Sequence, residues 1–194
     1  MKLLHIDSSV LGASSASRQI AASIVAEWRA REPGLDVVYR DLEADPIPHL
    51  DAVTLSGGDA AQGAASEATL RQFLEADVVV IGAPMYNFGI PSTLKAWIDR
   101  IAVAGRTFRY TENGSEGLAG GKRVIVASTR GGEHAGRSTD FVEPYLAHVF
   151  AFLGIDGVEF VRAEGLAYSP AHRERAMHDA LASVTLTSPL ARAA

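Results

Sequence analysis

Five hydroxyls are concentrated in the stretch Asp7-Ser8-Ser9-Val10-Leu11-Gly12-Ala13-Ser14-Ser15-Ala16-Ser17-Arg18, just ahead of a segment with helical spacing. Backbone N–H groups at the start of a helix point at an anion, and short hydroxyls add donors without bulk. Such a loop suits a phosphate monoester. It contains no G-x-x-x-x-G-K-[ST] and no G-x-G-x-x-G, so neither a triphosphate nor a pyrophosphate is the expected ligand. A serine that merely caps the helix is the plainer alternative for this loop.

Two further loops carry complementary chemistry. Pro84-Met85-Tyr86-Asn87-Phe88-Gly89-Ile90-Pro91 is stiffened by two prolines, and Gly89 permits close backbone approach. Met85, Tyr86 and Phe88 offer a flat apolar surface beside the Asn87 amide, which suits a planar heteroaromatic ring. Ser128-Thr129-Arg130-Gly131-Gly132 ends in paired glycines, whose backbone N–H groups can approach a ligand edge. His134 lies just beyond. An imidazole titrates near neutrality, which makes His134 the candidate proton donor or polar contact to an acceptor. Convergence of the three loops is the strong signal; each alone is weak.

The elements that must position these loops alternate along the chain. Apolar, β-branched runs at Leu3–Ile6, Val37–Tyr39, Val78–Ile81 and Val124–Ala127, with a weaker one at Gly157–Val161, predict five strands. Helical spacing separates them, as in Ile20, Ile24, Val25, Trp28 and in Leu94, Trp97, Ile98, Ile101. Runs such as Val78-Val79-Val80-Ile81 lack polar alternation, as parallel strands covered on both faces do. The expected fold is α/β: a doubly wound, five-stranded parallel sheet with helices on both faces, as one domain over residues 1–194. Ligands bind such sheets beyond the carboxyl ends of the strands, where the three loops fall. Two insertions interrupt the alternation, about Glu43–Ala65 and Thr107–Gly117, the second carrying an Asn113-Gly114 hairpin signal.

Composition narrows the class. The chain has no cysteine, which excludes disulfides, thiolate nucleophiles and Cys-ligated metals. A net charge of −5 argues against nucleic acid as the main partner. No apolar run is long enough to span a bilayer, and Met1-Lys2 leads directly into Leu3–Ile6 without a secretory leader pattern, so a cytoplasmic location is expected.

At these residues the chain resembles the FMN-dependent NADH azoreductases, a branch of the flavodoxin-like NAD(P)H quinone reductases. The likeness covers Ser8-Ser9 with Ser15–Ser17, Pro84–Phe88, Thr107–Glu112, Gly117-Leu118, Arg130–Gly132, Pro144–Leu146, Phe152–Ile155 and Ala163–Gly165. It implies that Ser9, Ser15, Ala16 and Ser17 hold the phosphate of a non-covalent FMN, one per subunit. Met85, Tyr86, Asn87 and Phe88 would flank its ring, and Thr129, Arg130, Gly131 and Gly132 would line its pyrimidine end. It further implies a homodimer with sites at the interface, Tyr110 and Phe152 facing the substrate, and NADH or NADPH as donor. By a ping-pong cycle, two electrons would pass to quinones or to azo compounds, which are cleaved to aromatic amines. Ala16 stands where relatives often carry a larger polar residue, and Thr129 replaces a serine.

Other signals are set aside. Ser92-Thr93-Leu94-Lys95 matches S-x-x-K without its companion motifs, and Ser92 reads as a helix cap. His172 and His178 lack the carboxylate cluster of a metal site, so no metal is expected. Asp99-Arg100 and Glu143 read as solvated helix faces. The rival from another class is a flavodoxin-type single-electron carrier, and a receiver-type domain would want acidic residues that Pro84-Met85 replaces.

Overall fold

The computed structural model describes residues 1–184; the Ala-rich tail lies outside them. The strands, in chain order, are β1 (Lys2–Asp7), β2 (Asp36–Asp41), β3 (Val78–Pro84), β4 (Phe108–Thr111), β5 (Gly114–Gly117), β6 (Arg123–Thr129) and β7 (Glu159–Ala163). The helices are α1 (Ala16–Arg31), α2 (Ala52–Leu55), α3 (Ala60–Glu75), α4 (Ser92–Ile101), α5 (Glu143–Phe152) and α6 (Pro170–Ala182). One parallel sheet runs in the order β2-β1-β3-β6-β7, while β4 and β5 form a separate antiparallel hairpin. The sheet is the expected doubly wound, flavodoxin-like arrangement, with its order reversing between β1 and β3. Among the described residues, no helix is long and apolar enough to cross a membrane.

The unbroken apolar runs follow from burial on both faces. Leu4, Ile6, Val79, Ile81, Val124 and Val126 pack with Phe73, Trp97 and Phe150 on the side of α3, α4 and α5. Their neighbours Leu3, Val78, Val80, Ile125 and Ala127 meet Ile20, Ile24 and Trp28 on the side of α1 and α6. Each pleat thus feeds both cores, and a polar residue at either phase would be stranded without water.

Four expectations need correction. Residues 43–65 are not all loop: Asp51 caps α2 through Thr54 N, and Asp59 caps α3 through Ala61 N and Gln62 N. The last strand lies later than Gly157–Val161, because Gly157 adopts φ +75° as part of the turn and pairing starts at Ile125↔Glu159. Ser92 is the first helical residue of α4, not its cap; Pro91 occupies that position in extended conformation. Arg100 and Glu143 are not solvated but only 4% and 8% exposed.

Candidate functional site

The ends of β1, β3 and β6 are adjacent in the sheet, in register from Asp7↔Gly82 to Pro84↔Thr129. The three loops therefore leave from one edge. After β1 the chain makes a short 3-10 turn, Gly12–Ser14, and enters α1 with Ser15 as cap, whose Oγ accepts from Arg18 N. Ser8, Ser9, Ser15, Ala16 and Ser17 are all buried. Ser15 and Ser17 hydroxyls lie 3.0 Å apart, and helix geometry leaves the N–H groups of Ala16 and Ser17 without an intrahelical acceptor. Ser8 is occupied elsewhere, donating to Gly82 O at 2.6 Å and tying the loop to β3.

The loop is braced from below by a residue that the sequence reading did not single out. Arg18 donates to Ser9 O at 2.8 Å and grips both carboxylate oxygens of Asp41, at 2.6 and 2.7 Å. This hydrogen bond holds the Asp41 carboxyl below its ordinary range. Tyr39 donates to Asp7 at 3.1 Å; burial first, and the Asp7 charge second, push its phenol up to about 12. Because Asp41 is depressed in the fold, its contribution is present above the unfolded value near 3.8 and fades as pH falls through the folded one. We expect Asp41→Asn to lower the urea midpoint at pH 7, with the gap to wild type closing as pH falls below the ordinary carboxylate value near 3.8. A gap that stays constant as pH falls would mean that the Arg18 clamp contributes nothing.

The second loop is fixed by its own turn. Tyr86 N donates to Gly89 O and Gly89 N to Tyr86 O, at 2.9 and 3.0 Å, closing two residues between them. Those residues, Asn87 and Phe88, have φ of +49° and +71°, as a type I′ turn demands. Asparagine tolerates this region, but an aromatic residue there is strained by about 1–3 kcal/mol. The turn leaves the Phe88 ring 51% exposed, while Met85 packs on the core and its N–H donates to Thr129 O. Tyr86 links this turn to the first loop: its hydroxyl lies 3.1 Å from Ser9 Oγ and accepts from Val10 N at 3.2 Å.

The third loop is set by a buried ion network. Arg130 does not present its side chain to the site, as a residue lining a ring would; the guanidinium is fully buried. It donates to Glu164 at 3.1 Å, Ser128 at 3.0 Å and Glu143 at 2.5 Å, and pairs with Asp140 at 3.1 Å. Only the Arg130 backbone lies at the sheet edge, and its N–H donates to Ala163 O at 3.0 Å while its C=O accepts from Leu166 N at 3.1 Å. Glu164 Oε1 also accepts from His134 N and Ala135 N, at 2.7 and 2.8 Å. Burial alone would raise this carboxyl, but those N–H donors and the Arg130 charge outweigh it and hold it below its usual range. The carbonyls of Gly131 and Gly132 accept from Ala167 N and Gly165 N, while neither glycine N–H has a protein acceptor among the described residues. A Cβ on Gly132 would stand 2.9 Å from His134 Nε2, so any other residue there would have to displace the imidazole. His134 Nδ1 lies 2.9 Å from Thr139 Oγ1, and its ring stands edge-on to Phe88 with centroids 5.6 Å apart.

The buried serine loop, the exposed aromatic turn and the Gly131 and Gly132 N–H groups thus share one sheet edge, with Thr129 at the last position of β6. Tyr110 and Phe152 do not join them within this chain. Both rings pack instead on Phe108, with centroids 5.5 and 4.4 Å away, and Tyr110 is 77% exposed at the hairpin. The hairpin seats on the end of α5 at Gly117 and Gly154, where a Cβ on Gly117 would fall 2.0 Å from Gly154 N. Arg18, Glu143 and Glu164 are the supporting residues without local signals, because their partners lie far along the chain. Among the described residues, no group of His, Asp and Glu side chains is arranged to hold a metal.

Known proteins resemble this chain over nearly its whole length. The family of flavodoxin-like fold matches residues 1–186. An FMN-dependent NADH:quinone oxidoreductase of Xanthomonas euvesicatoria is 66% identical over 184 residues, 95% of each chain. One of Pseudomonas aeruginosa is 59% identical over 188 residues, covering 91% of this chain and 93% of that one. Among solved structures, an FMN-dependent NADH-azoreductase of Bacillus anthracis in complex with FMN superposes with TM-score 0.84 at 29% identity, covering 94% and 95% of the two chains. Azoreductase AzrA gives TM-score 0.88 at 28% identity, over 95% and 97%. The chain belongs to the flavodoxin-like family and, within it, to the FMN-dependent NADH:quinone oxidoreductases.

Proposed function

We propose that this chain binds FMN non-covalently at the β1–β3–β6 edge and carries electron pairs from NADH or NADPH to quinones and azo compounds. The observation that carries the reading is the Tyr86 bridge, which joins a buried serine cradle at a helix N-terminus to an exposed aromatic wall. The residues fit the group: Ala16 and Ser17 N–H groups, with the Ser9, Ser15 and Ser17 hydroxyls, supply donors for one phosphate. FMN, when bound, supplies hydride acceptance and two-electron donation. Met85, Tyr86, Asn87 and Phe88 orient the ring, while Thr129 and the free N–H groups of Gly131 and Gly132 face its polar edge. Backbone donors aimed at that edge favour negative charge there, which supports transfer in pairs over a flavodoxin-type single-electron role.

The site works in a homodimer in this reading, with Tyr110 and Phe152 covering the acceptor from the interface. Support comes from the exposure of Tyr110, a large ring held out on a rigid hairpin. A cytoplasmic setting supplies the nicotinamide. Protein reconstituted with FMN is expected to be yellow and to bleach on anaerobic addition of NADH. No measurable FMN affinity would remove the assignment.

His134 is held for contact with the acceptor by Glu164 through its N–H and by Phe88 through its ring. If it delivers a proton, His134→Ala lowers the acceptor half-reaction severalfold and leaves NADH-driven bleaching unchanged. Full turnover in this variant would limit His134 to shaping the pocket.

A further inference from the structure

Arg100 is a buried cation without a contact ion pair among the described residues; its charge does reach Asp51, whose carboxyl is held below its ordinary range first by the Thr54 N–H and to a lesser degree by Arg100. It lies near the last residue of α4, about 12 Å along the helix from the end that meets the ring loop. Though 4% exposed, it has no carboxylate within ion-pair distance among the described residues. Nη2 donates to Pro48 O at 2.8 Å and more weakly to His49 O and Gln62 Oε1, at 3.5 and 3.4 Å. Among the described residues, Nε and Nη1 have no hydrogen-bond partner. A guanidinium cannot discharge by losing a proton, and an unneutralised buried charge is unfavourable. Carbonyl dipoles offset this in part; an anion would complete it.

Arg100 and Ser66 stand in the walls of two cavities in the groove between α3 and α4. The smaller, of about 220 Å³, is bounded by Arg40, Gln62, Thr69 and the Asp45–Pro48 segment. The larger, of about 380 Å³, is walled by Leu50, Leu55, Val103 and Phe108. It exceeds twice the roughly 150 Å³ that admits benzene, enough for a medium chain or a two-ring body. We propose that this groove is a second ligand site, for an apolar monocarboxylate: the carboxylate meets Arg100, and the apolar body fills the larger cavity. Asp45 and Asp99 in the two walls repel a dianion such as phosphate more strongly than a monoanion, whose charge Arg100 alone can match. Neither Arg100 nor the cavity walls belong to the three loops, although Phe108 in the larger wall also carries the Tyr110 and Phe152 rings.

Isothermal titration of the FMN-reconstituted protein with octanoate tests the proposal, with octanol and inorganic phosphate as controls. One saturable octanoate site per chain is expected, at least tenfold weaker in Arg100→Met and in Leu55→Glu, with octanol and phosphate each at least tenfold weaker than octanoate. FMN content and NADH bleaching should be those of wild type in both variants. Leu55 is 72% exposed, so its variant tests the cavity even if Arg100→Met does not fold. Absence of saturable octanoate binding, equal affinity in the variants, displacement by NADH, or phosphate binding in its place would each overturn the proposal.

Discussion

Arg130→Met is expected to cost about 3–5 kcal/mol in unfolding free energy, because it strands carboxylates that the fold has already taken out of water. Asp140 and Glu143 have side chains only 2% and 10% exposed. Methionine fills similar volume, so the loss reports charge more than packing. Replacing a whole buried ion network by apolar groups is often neutral, but removing the cation alone is not. Arg162 would still reach Glu143, at 2.7 Å, which keeps the loss from growing further. Glu164→Gln, which retains an oxygen for His134 N, should cost no more than about half as much. Urea denaturation of the two variants checks both figures. A loss under about 1 kcal/mol for Arg130→Met would mean that water or protonation compensates the carboxylates, and that the network does not hold the third loop.

Ser17→Asp is expected to weaken FMN binding at least a hundredfold, about 3 kcal/mol. The substitution places a carboxylate where the phosphate would sit, and that carboxylate takes up the N–H groups at the start of α1. Coulomb repulsion and competition for donors therefore act together. The apoprotein should still fold, because a negative charge in the first helical turn is favoured by the helix dipole. Ser17→Ala removes one hydroxyl without adding charge and should cost about tenfold. Flavin fluorescence titration against both apoproteins gives the comparison, with circular dichroism to check the fold. FMN affinity in Ser17→Asp within threefold of wild type would place the phosphate somewhere other than this cradle.

These two substitutions also divide what is local from what is not. Ser17 is legible beforehand because its meaning is contained in a dozen residues: a strand run, a cluster of hydroxyls, then helical spacing. The same holds for Met85–Phe88 and Gly131-Gly132, which follow apolar runs whose burial on both faces is encoded by hydrophobicity alone. Even there, the left-handed turn at Asn87 and Phe88 was not readable, since Phe88 would not choose that backbone unaided.

The five parallel strands and the three loops at their carboxyl ends were thus determined by the amino-acid pattern itself, since short-range periodicity decides which faces are buried; the order β2-β1-β3-β6-β7 was decided by the packed fold. Charge partners are decided otherwise. Arg18 meets Asp41 and Arg130 meets Glu164 across 23 and 34 residues, and Arg100 finds only carbonyls. A charged residue reads as solvated from its neighbours in sequence, because exposure is its cheapest state. Only the packed fold, by placing helices and strand ends against one another, decides which charges are enclosed and what they hold.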